Sequence, residues 1–210
     1  MAERPLQNRV DPFGELHSTP ARGTLMGNRG GRFHDDRKEL GGRRWAGRRW
    51  ISCVCEFRGR HREVWSDGYT ELFFLDEITA LAAGHRPCFE CRRSQALDFA
   101  RAMARGVSGS APLRADAMDA ILNAERRRGR TKRVHMARLD SLPDGAMVAV
   151  AGKPFALRDG KLIPWRFTGY GEAVPPADNI EAVLLTPPST TRALAAGYSP
   201  RWHTTWLTKT

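Results

Sequence analysis

Cys53-Val54-Cys55 and Cys88-Phe89-Glu90-Cys91 contain all four cysteines of the 210-residue chain, so no thiol stands outside the two pairs. Two pairs of thiolates complete one tetrahedral zinc shell, each short segment supplying half of it. Cys53 and Cys55 are separated by a single residue, and on an extended segment that spacing sends both sulfurs to one face. In the second pair, Pro87 suits the first turn of a helix. That would put Cys88 and Cys91 near a helix N-terminus, where the dipole favours thiolate. His85 is the alternate ligand should Cys53 or Cys55 stay out of the shell. Two disulfides would account for four cysteines in a secreted chain, and buried free thiols in any chain. With no apolar leader at the N-terminus and enough residues for a core without staples, zinc is expected instead. A four-thiolate shell keeps no position for water, so by itself it supplies structure and not hydrolysis.

The charge balance points to a partner. Thirty-four Lys and Arg against 23 Asp and Glu give a net charge of +11. Arginine predominates, and its planar guanidinium suits bidentate phosphate contacts. GC-rich codon usage would inflate arginine without any binding role, but here the basic residues also cluster. Arg43-Arg44-Trp45-Ala46-Gly47-Arg48-Arg49-Trp50 interleaves guanidinium groups with indoles, which suits phosphate contact combined with base stacking. Trp50 as a core anchor with arginine stems packed along it is the alternative. Arg86, Arg92 and Arg93 flank the second cysteine pair and are further phosphate candidates. Arg126-Arg127-Arg128-Gly129-Arg130-Thr131-Lys132-Arg133 is either a solvated helix end or a phosphate-binding stripe. Nucleic acid is therefore the expected partner, DNA ahead of RNA. No apolar run reaches the ~20 residues that span a bilayer, so no membrane partner is expected and a cytoplasmic location follows.

Two other function classes have candidates. A hydrolase would draw on His34, His85, His135 or His203 with a carboxylate such as Glu125, yet no H-E-x-x-H, deaminase or nucleophile-elbow pattern is present. A protein-interaction role would use the aromatic tail around Trp202, His203 and Trp206.

The elements that must position these residues suggest an α+β chain, a zinc-bound ribbon and helix module followed by a β-rich C-terminal unit. Residues 1–50, rich in Gly and Arg, are expected to form a loop-like arm. Within it the glycines of 23–31 suit turns better than a phosphate cradle. Residues 51–106 would be the zinc module. Its strands at Ile51–Arg58 and Tyr69–Phe74 would be joined through Ser66-Asp67-Gly68 as an antiparallel ribbon. A helix over Glu77–Ala83 would be capped by Asp76 and stopped at Gly84, and a second would run from Pro87 to Arg105. After a Gly/Ser-rich break, residues 112–135 read as a basic helix and linker, with Met118, Ile121 and Leu122 on one face. Residues 140–210 read as a small β-rich unit, with strands at Met147–Val150, Phe155–Arg158, Leu162–Trp165 and Ala182–Leu185. Asp159-Gly160 is a hairpin signal, and a short helix from Pro188 would end at Gly197.

The run from Glu71 to Cys91, ending Ala83-Gly84-His85-Arg86-Pro87-Cys88-Phe89-Glu90-Cys91, resembles the second half of the Ada metal-binding domain. That family has an aromatic strand followed by A-G-[FY]-R-P-C-x-x-C. The resemblance covers about a fifth of the chain. It implies a DNA-binding zinc domain held by four cysteines, a role in DNA repair, and a zinc thiolate that accepts a methyl group from a backbone phosphotriester. Carried over by position, Cys88 and Cys91 match the family's second ligand pair. Cys53 and Cys55 take the first pair's place, and Cys53 would be the acceptor. The family spaces its first pair by three residues where this chain has one, and this chain shows neither the family's regulatory helices nor its alkyltransferase motif. The flanking stretches around Asp11-Pro12-Phe13-Gly14 and Met26–Gly30 also resemble uncharacterised bacterial proteins.

Overall fold

A computed structural model describes residues 4–59, 63–107, 111–177 and 181–206. Residues 108–110 of the expected Gly/Ser break lie outside this set, as does the side chain of Trp206. The fold is α+β, with two six-stranded sheets and four α-helices among the described residues.

The first sheet contains β1 (Gln7–Val10), β2 (Leu16–Ser18), β3 (Leu25–Arg29), β4 (Trp50–Val54), β5 (Leu72–Phe74) and β6 (Arg86–Pro87), in the order β2-β1-β5-β3-β4-β6. Two expectations change here. The segment expected to be a loop-like arm supplies β1, β2 and β3, half of this sheet. Nor do β4 and β5 form a ribbon, because β3 runs antiparallel between them and pairs with both. The glycine in Leu25-Met26-Gly27-Asn28-Arg29 looks like a turn former but serves close packing. A Cβ on Gly27 would come 2.3 Å from the Ile51 carbonyl oxygen and 2.8 Å from the Phe74 ring. Glycine inside a strand often marks such close approach.

Helix α1 (Glu77–Ala82) follows as expected, with the Asp76 side chain accepting from the Thr79 amide at 2.9 Å. All six of its residues are buried, because it lies between the sheets. Ala80 packs with Val10, Leu72 and Phe74 on the first sheet. Ile78 and Ala82 pack with Met147, Ile163 and Trp165 on the second. Helix α2 (Arg93–Val107) begins six residues later than Pro87. Pro87 instead belongs to β6, where its carbonyl-bearing backbone runs parallel to Ser52 and its missing N–H costs little at the sheet edge.

Helix α3 (Ala115–Arg126) buries Met118 and Leu122 as its spacing predicts. The basic run after it forms a two-stranded ribbon, β7 (Arg127–Arg128) with β8 (Thr131–Lys132). The second sheet is antiparallel throughout and comprises β9 (His135–Arg138), β10 (Met147–Val150), β11 (Lys153–Arg158), β12 (Lys161–Arg166), β13 (Gly169–Tyr170) and β14 (Glu181–Leu184). Its strand order is β13-β12-β11-β10-β14-β9. Helix α4 (Pro188–Ala195) joins α2 and α3 in covering this sheet, through Met103, Leu122 and Leu194. Among the described residues no helix is long and apolar enough to cross a membrane.

A buried polar network ties the chain's C-terminal part to α1. Asp76 accepts from the Tyr170 hydroxyl at 2.8 Å and the His203 amide at 3.0 Å, while Glu77 accepts from the Arg201 amide at 3.0 Å. The Arg92 guanidinium pairs with Glu77 at 2.7 Å. Buried polar groups with this many partners fix one arrangement of the layers they join.

Candidate metal centre and basic face

Strand alternation divides the β3–β4 pair into two faces. Met26 faces Cys53, Asn28 faces Ile51, and Arg29 faces Trp50 across the pair. Positions two apart share a face and positions three apart do not. Met26, Asn28, Ile51 and Cys53 therefore point outward, away from α1, and all four line one cleft. Arg29 and Trp50 point inward toward the end of α1 and line another cavity.

On the outer face, β6 brings the second cysteine pair beside the first. The Cys88 amide donates to the Ser52 carbonyl at 2.9 Å, extending the pairing one residue past β6. The Sγ atoms of Cys53, Cys88 and Cys91 all lie within 4.8 Å of one another, close enough to hold a metal ion. Among the described residues this is the one cluster of His, Cys, Asp or Glu side chains with that capacity. The cysteines lie near the N-terminus of α2, in the turn that leads into it and not in its first turn, since the helix starts at Arg93 and not at Pro87. Backbone amides supply the stabilisation expected of a dipole: Glu90 N–H points at Cys88 Sγ from 3.4 Å. Cys88 is pushed down as a thiol, first by hydrogen bonds from Cys53 and Cys91 and then, against burial, by the Cys91 and Glu90 amides. The same bonds to Cys88 and Cys91 push the Cys53 thiol up, and burial adds to that. Three sulfurs this close cannot all carry charge unless a cation sits among them.

Cys55 stands apart from the cluster. Strand β4 ends at Val54, so the alternation that would align Cys55 with Cys53 stops one residue short. Cys55 is exposed at the rim of the same cleft, which has a volume of about 190 Å³. Cys53, the acceptor position implied by the Ada resemblance, is buried. His85, the alternate ligand, faces the other way. Its ring packs 4.6 Å from Phe74 and 5.0 Å from Trp50, and its Nε2 accepts from Arg29 Nε at 3.3 Å. Burial, with Arg29 and Arg126 nearby, holds it well below the usual histidine range and therefore neutral.

The remaining candidates divide by burial. Arg86 is a buried bidentate partner of Asp119, at 2.9 Å through both Nε and Nη2, and Arg92 is paired with Glu77, so neither guanidinium is free for phosphate. Arg43, Arg48, Arg49 and Arg93 are exposed and Arg44 is half-buried. Of the histidines, His34 stacks on Trp65 and bonds Thr70, His135 bonds the Glu125 carbonyl, and His203 bonds Thr205. Glu125 accepts from the amide and hydroxyl of Ser189 at 2.9 and 2.6 Å, serving the first turn of α4. Composition gave no sign of that cap, because the helix start is marked by Pro188 and the capping carboxylate comes from 64 residues away.

The two basic runs meet on the inner side of the sheet. Arg130 donates to the Gly42 carbonyl, Arg126 donates to the Arg48 carbonyl, and the Arg127 guanidinium stacks 4.1 Å from the Trp45 centroid. Trp50 is buried and receives two guanidinium groups, Arg29 at 4.1 Å and Arg126 at 4.0 Å. Trp50 is thus the core anchor of the second reading, packed between two buried guanidinium groups, while Arg43, Arg48 and Arg49 of the same segment are exposed. Gly84 makes room for this, since its φ of +82° suits glycine and a Cβ there would come 2.7 Å from Arg126 Cδ. Burial lowers both Arg29 and Arg126 to about 9; Glu15 and Asp11 oppose the shift of Arg29, while the charge of Arg29 adds to that of Arg126. Lys132 is lowered to about 7, again mainly by burial. No protein-family model, curated protein or solved structure matches this chain.

Proposed function

We propose that this chain is a zinc-thiolate protein that binds nucleic acid. The observation that carries the reading is the union of residues 42–50 with residues 126–132 into one basic face, through Arg130 to Gly42, Arg126 to Arg48 and Arg127 to Trp45. The hydrogen bonds and indole stacking that join the two runs, about 80 residues apart, do not neutralise their charge, so the face they make repels itself. A polyanion relieves that repulsion and releases its own counterions. Exposed Arg43 and Arg48 contact phosphate, with DNA the first candidate, and zinc at Cys53, Cys88 and Cys91 clamps β4 to β6 behind them. Zinc suits a soft three-sulfur set, and reduced thiols suit a cytoplasmic location.

Zinc content and salt-dependent binding test this. The purified protein is expected to carry one zinc per chain. Its affinity for a DNA oligonucleotide is expected to fall steeply between roughly 50 and 200 mM salt. Affinity that is flat over that range removes the nucleic-acid reading, and absence of zinc after purification without chelator removes the zinc.

A second reading has one observation in its favour. A three-thiolate centre with half-buried Cys91 in the wall of a cleft resembles an acceptor site more than a closed structural shell. In methyl transfer from a phosphotriester, the thiolate sulfur bonds to the methyl carbon as the carbon–oxygen bond breaks. The electron pair leaves on a phosphodiester anion. Of the three clustered sulfurs Cys91 alone is partly exposed and so is the accessible thiolate, whereas Cys55 lies outside the cluster and burial, with Glu56 nearby, pushes its thiol up. A mass gain of one methylene on the Cys91 peptide after incubation with methyl-phosphotriester DNA would establish it, and an unchanged mass would remove it.

A further inference from the structure

The inner end of the β3–β4 pair holds more cation than nucleic-acid contact at a surface needs. A cavity of about 90 Å³ is lined there by Arg29, Arg44, Arg126, Arg127, Arg130 and Lys132, with Glu15 the one acidic residue in the wall. None of those six cations is ion-paired with a carboxylate among the described residues. Arg29 donates instead to the carbonyls of Gly14 and Arg44, and Lys132 to those of Pro12 and Ala82, at 2.8 to 3.3 Å. Asp11, whose charge also reaches Arg29 and Lys132, is occupied by His17 at 2.8 Å and by the Glu15 amide at 2.9 Å.

Carbonyl dipoles orient these cations without neutralising them. Elsewhere in the chain a buried arginine has its carboxylate, as Arg86 has Asp119 and Arg92 has Glu77. Here Arg126, 4% exposed, has an Nε–H with no acceptor, and so does the buried Nε–H of Arg127. Leaving buried charged donors unmet costs free energy that a native fold ordinarily avoids. The walls are the indoles of Trp45 and Trp50, which lower the local dielectric and strengthen attraction for an anion inside.

We propose that this cavity is a binding site for a phosphate group, which accepts from the arginines and lysine that enclose it. Its volume is several times the roughly 10–15 Å³ of such space that one water needs, enough to admit a tetrahedral oxyanion. The phosphate is either the end of a nucleic-acid strand lying on the basic face or that of a small phosphorylated molecule. The site goes beyond nucleic-acid binding and does not depend on it.

Titration with inorganic phosphate against chloride at matched ionic strength tests the site, read by calorimetry and by thermal midpoint. Saturable binding with a raised midpoint is expected. Arg127→Ala with Arg130→Ala, both at the less buried side of the cavity, is expected to weaken binding at least tenfold while the phosphate-free midpoint stays near wild type. Absence of saturable binding overturns the proposal, and so does unchanged phosphate affinity in that folded double variant. A second arm compares the same oligonucleotide with a 5′-phosphate and a 5′-hydroxyl. A preference of about tenfold for the 5′-phosphate, lost in the double variant, assigns the site to strand ends. Saturable phosphate binding without that preference assigns it to a small phosphorylated ligand, and the fate of the nucleic-acid reading is then decided by its own salt test.

Discussion

The cysteine cleft and the basic cavity occupy opposite faces of one strand pair, only about 10 Å apart along it at ~3.3 Å per residue. They pose mirror-image problems. In the cleft, three sulfurs crowd together and cannot all ionise without a cation. In the cavity, cations crowd together with orphaned donors and call for an anion. The solutions differ in kind. A metal ion bonded to thiolates becomes part of the fold, whereas a phosphate held by carbonyl-oriented cations exchanges with solvent. Losing the first should therefore unfold the region, and losing the second should leave it folded and less comfortable.

The sharpest way to break this contrast is to remove the metal. A strong chelator or Cys88→Ser is expected to eliminate or greatly lower the thermal transition, since assembling a structural zinc site contributes on the order of 10 kcal/mol. Cys55→Ser is expected to retain the metal, because Cys55 lies outside the cluster. Metal loss in Cys55→Ser equal to that in Cys88→Ser would show a four-thiolate shell instead. Next in size is Asp119→Ala, which strands buried Arg86 on β6, the strand that leads directly into Cys88. A cost of about 3–5 kcal/mol is expected in denaturant unfolding. Gly27→Ala reaches both faces together, because the added methyl meets the β4 backbone at Ile51. Its expected cost is about 1–3 kcal/mol, with both metal retention and phosphate affinity reduced. If only one of the two falls, the sites do not share the strand pair as a common support.

The pH response separates the faces more gently. Lys132 is held near about 7 against an ordinary 10.5, by burial and by Arg29, with Asp11 and Glu15 opposing. The folded lysine thus gives up its proton before the unfolded one does. The unfolded state binds more protons across that window, so stability of the phosphate-free protein rises with pH from about 7 to about 10.5. Arg29 and Arg126, lowered to about 9, extend the same sign upward. Phosphate affinity moves oppositely, falling above about pH 7 as Lys132 loses its charge. Denaturant unfolding across pH with and without phosphate should give two curves that converge at alkaline pH. Smallest in stability is Arg43→Ala or Arg48→Ala, expected within about 0.5 kcal/mol of wild type. Each should nonetheless reduce the salt slope of DNA binding by about one.

Local signals were legible where physics is local. Asp76 caps α1, Asp159-Gly160 turns a hairpin at positive φ, and Pro188 opens a helix that ends before Gly197, all as their residue types imply. The first sheet was hidden because its strands are three to five residues long apart from the two-residue β6, and its pairing depends on distant segments. No turn between residues 54 and 72 could reveal that β3 fills the space between β4 and β5. The helix predicted from Pro87 to Arg105 is present but starts six residues late, for a related reason. Ser52 offers a backbone partner to the Cys88 amide, and that pairing outweighs a local helix preference.

By itself the sequence determined that the cysteines come in two pairs, that the charge is strongly positive, and that helix caps and hairpin turns fall at particular residues. Tertiary structure alone decided which sulfurs meet, because Cys55 leaves the cluster only where β4 stops pairing. It also decided which arginines are spent. A guanidinium beside a cysteine motif looks the same in sequence whether it faces solvent or a buried carboxylate, and Asp119 reaches Arg86 from 33 residues away. Charge and residue type are properties of the chain, whereas partnership depends on which segments the packed core brings together.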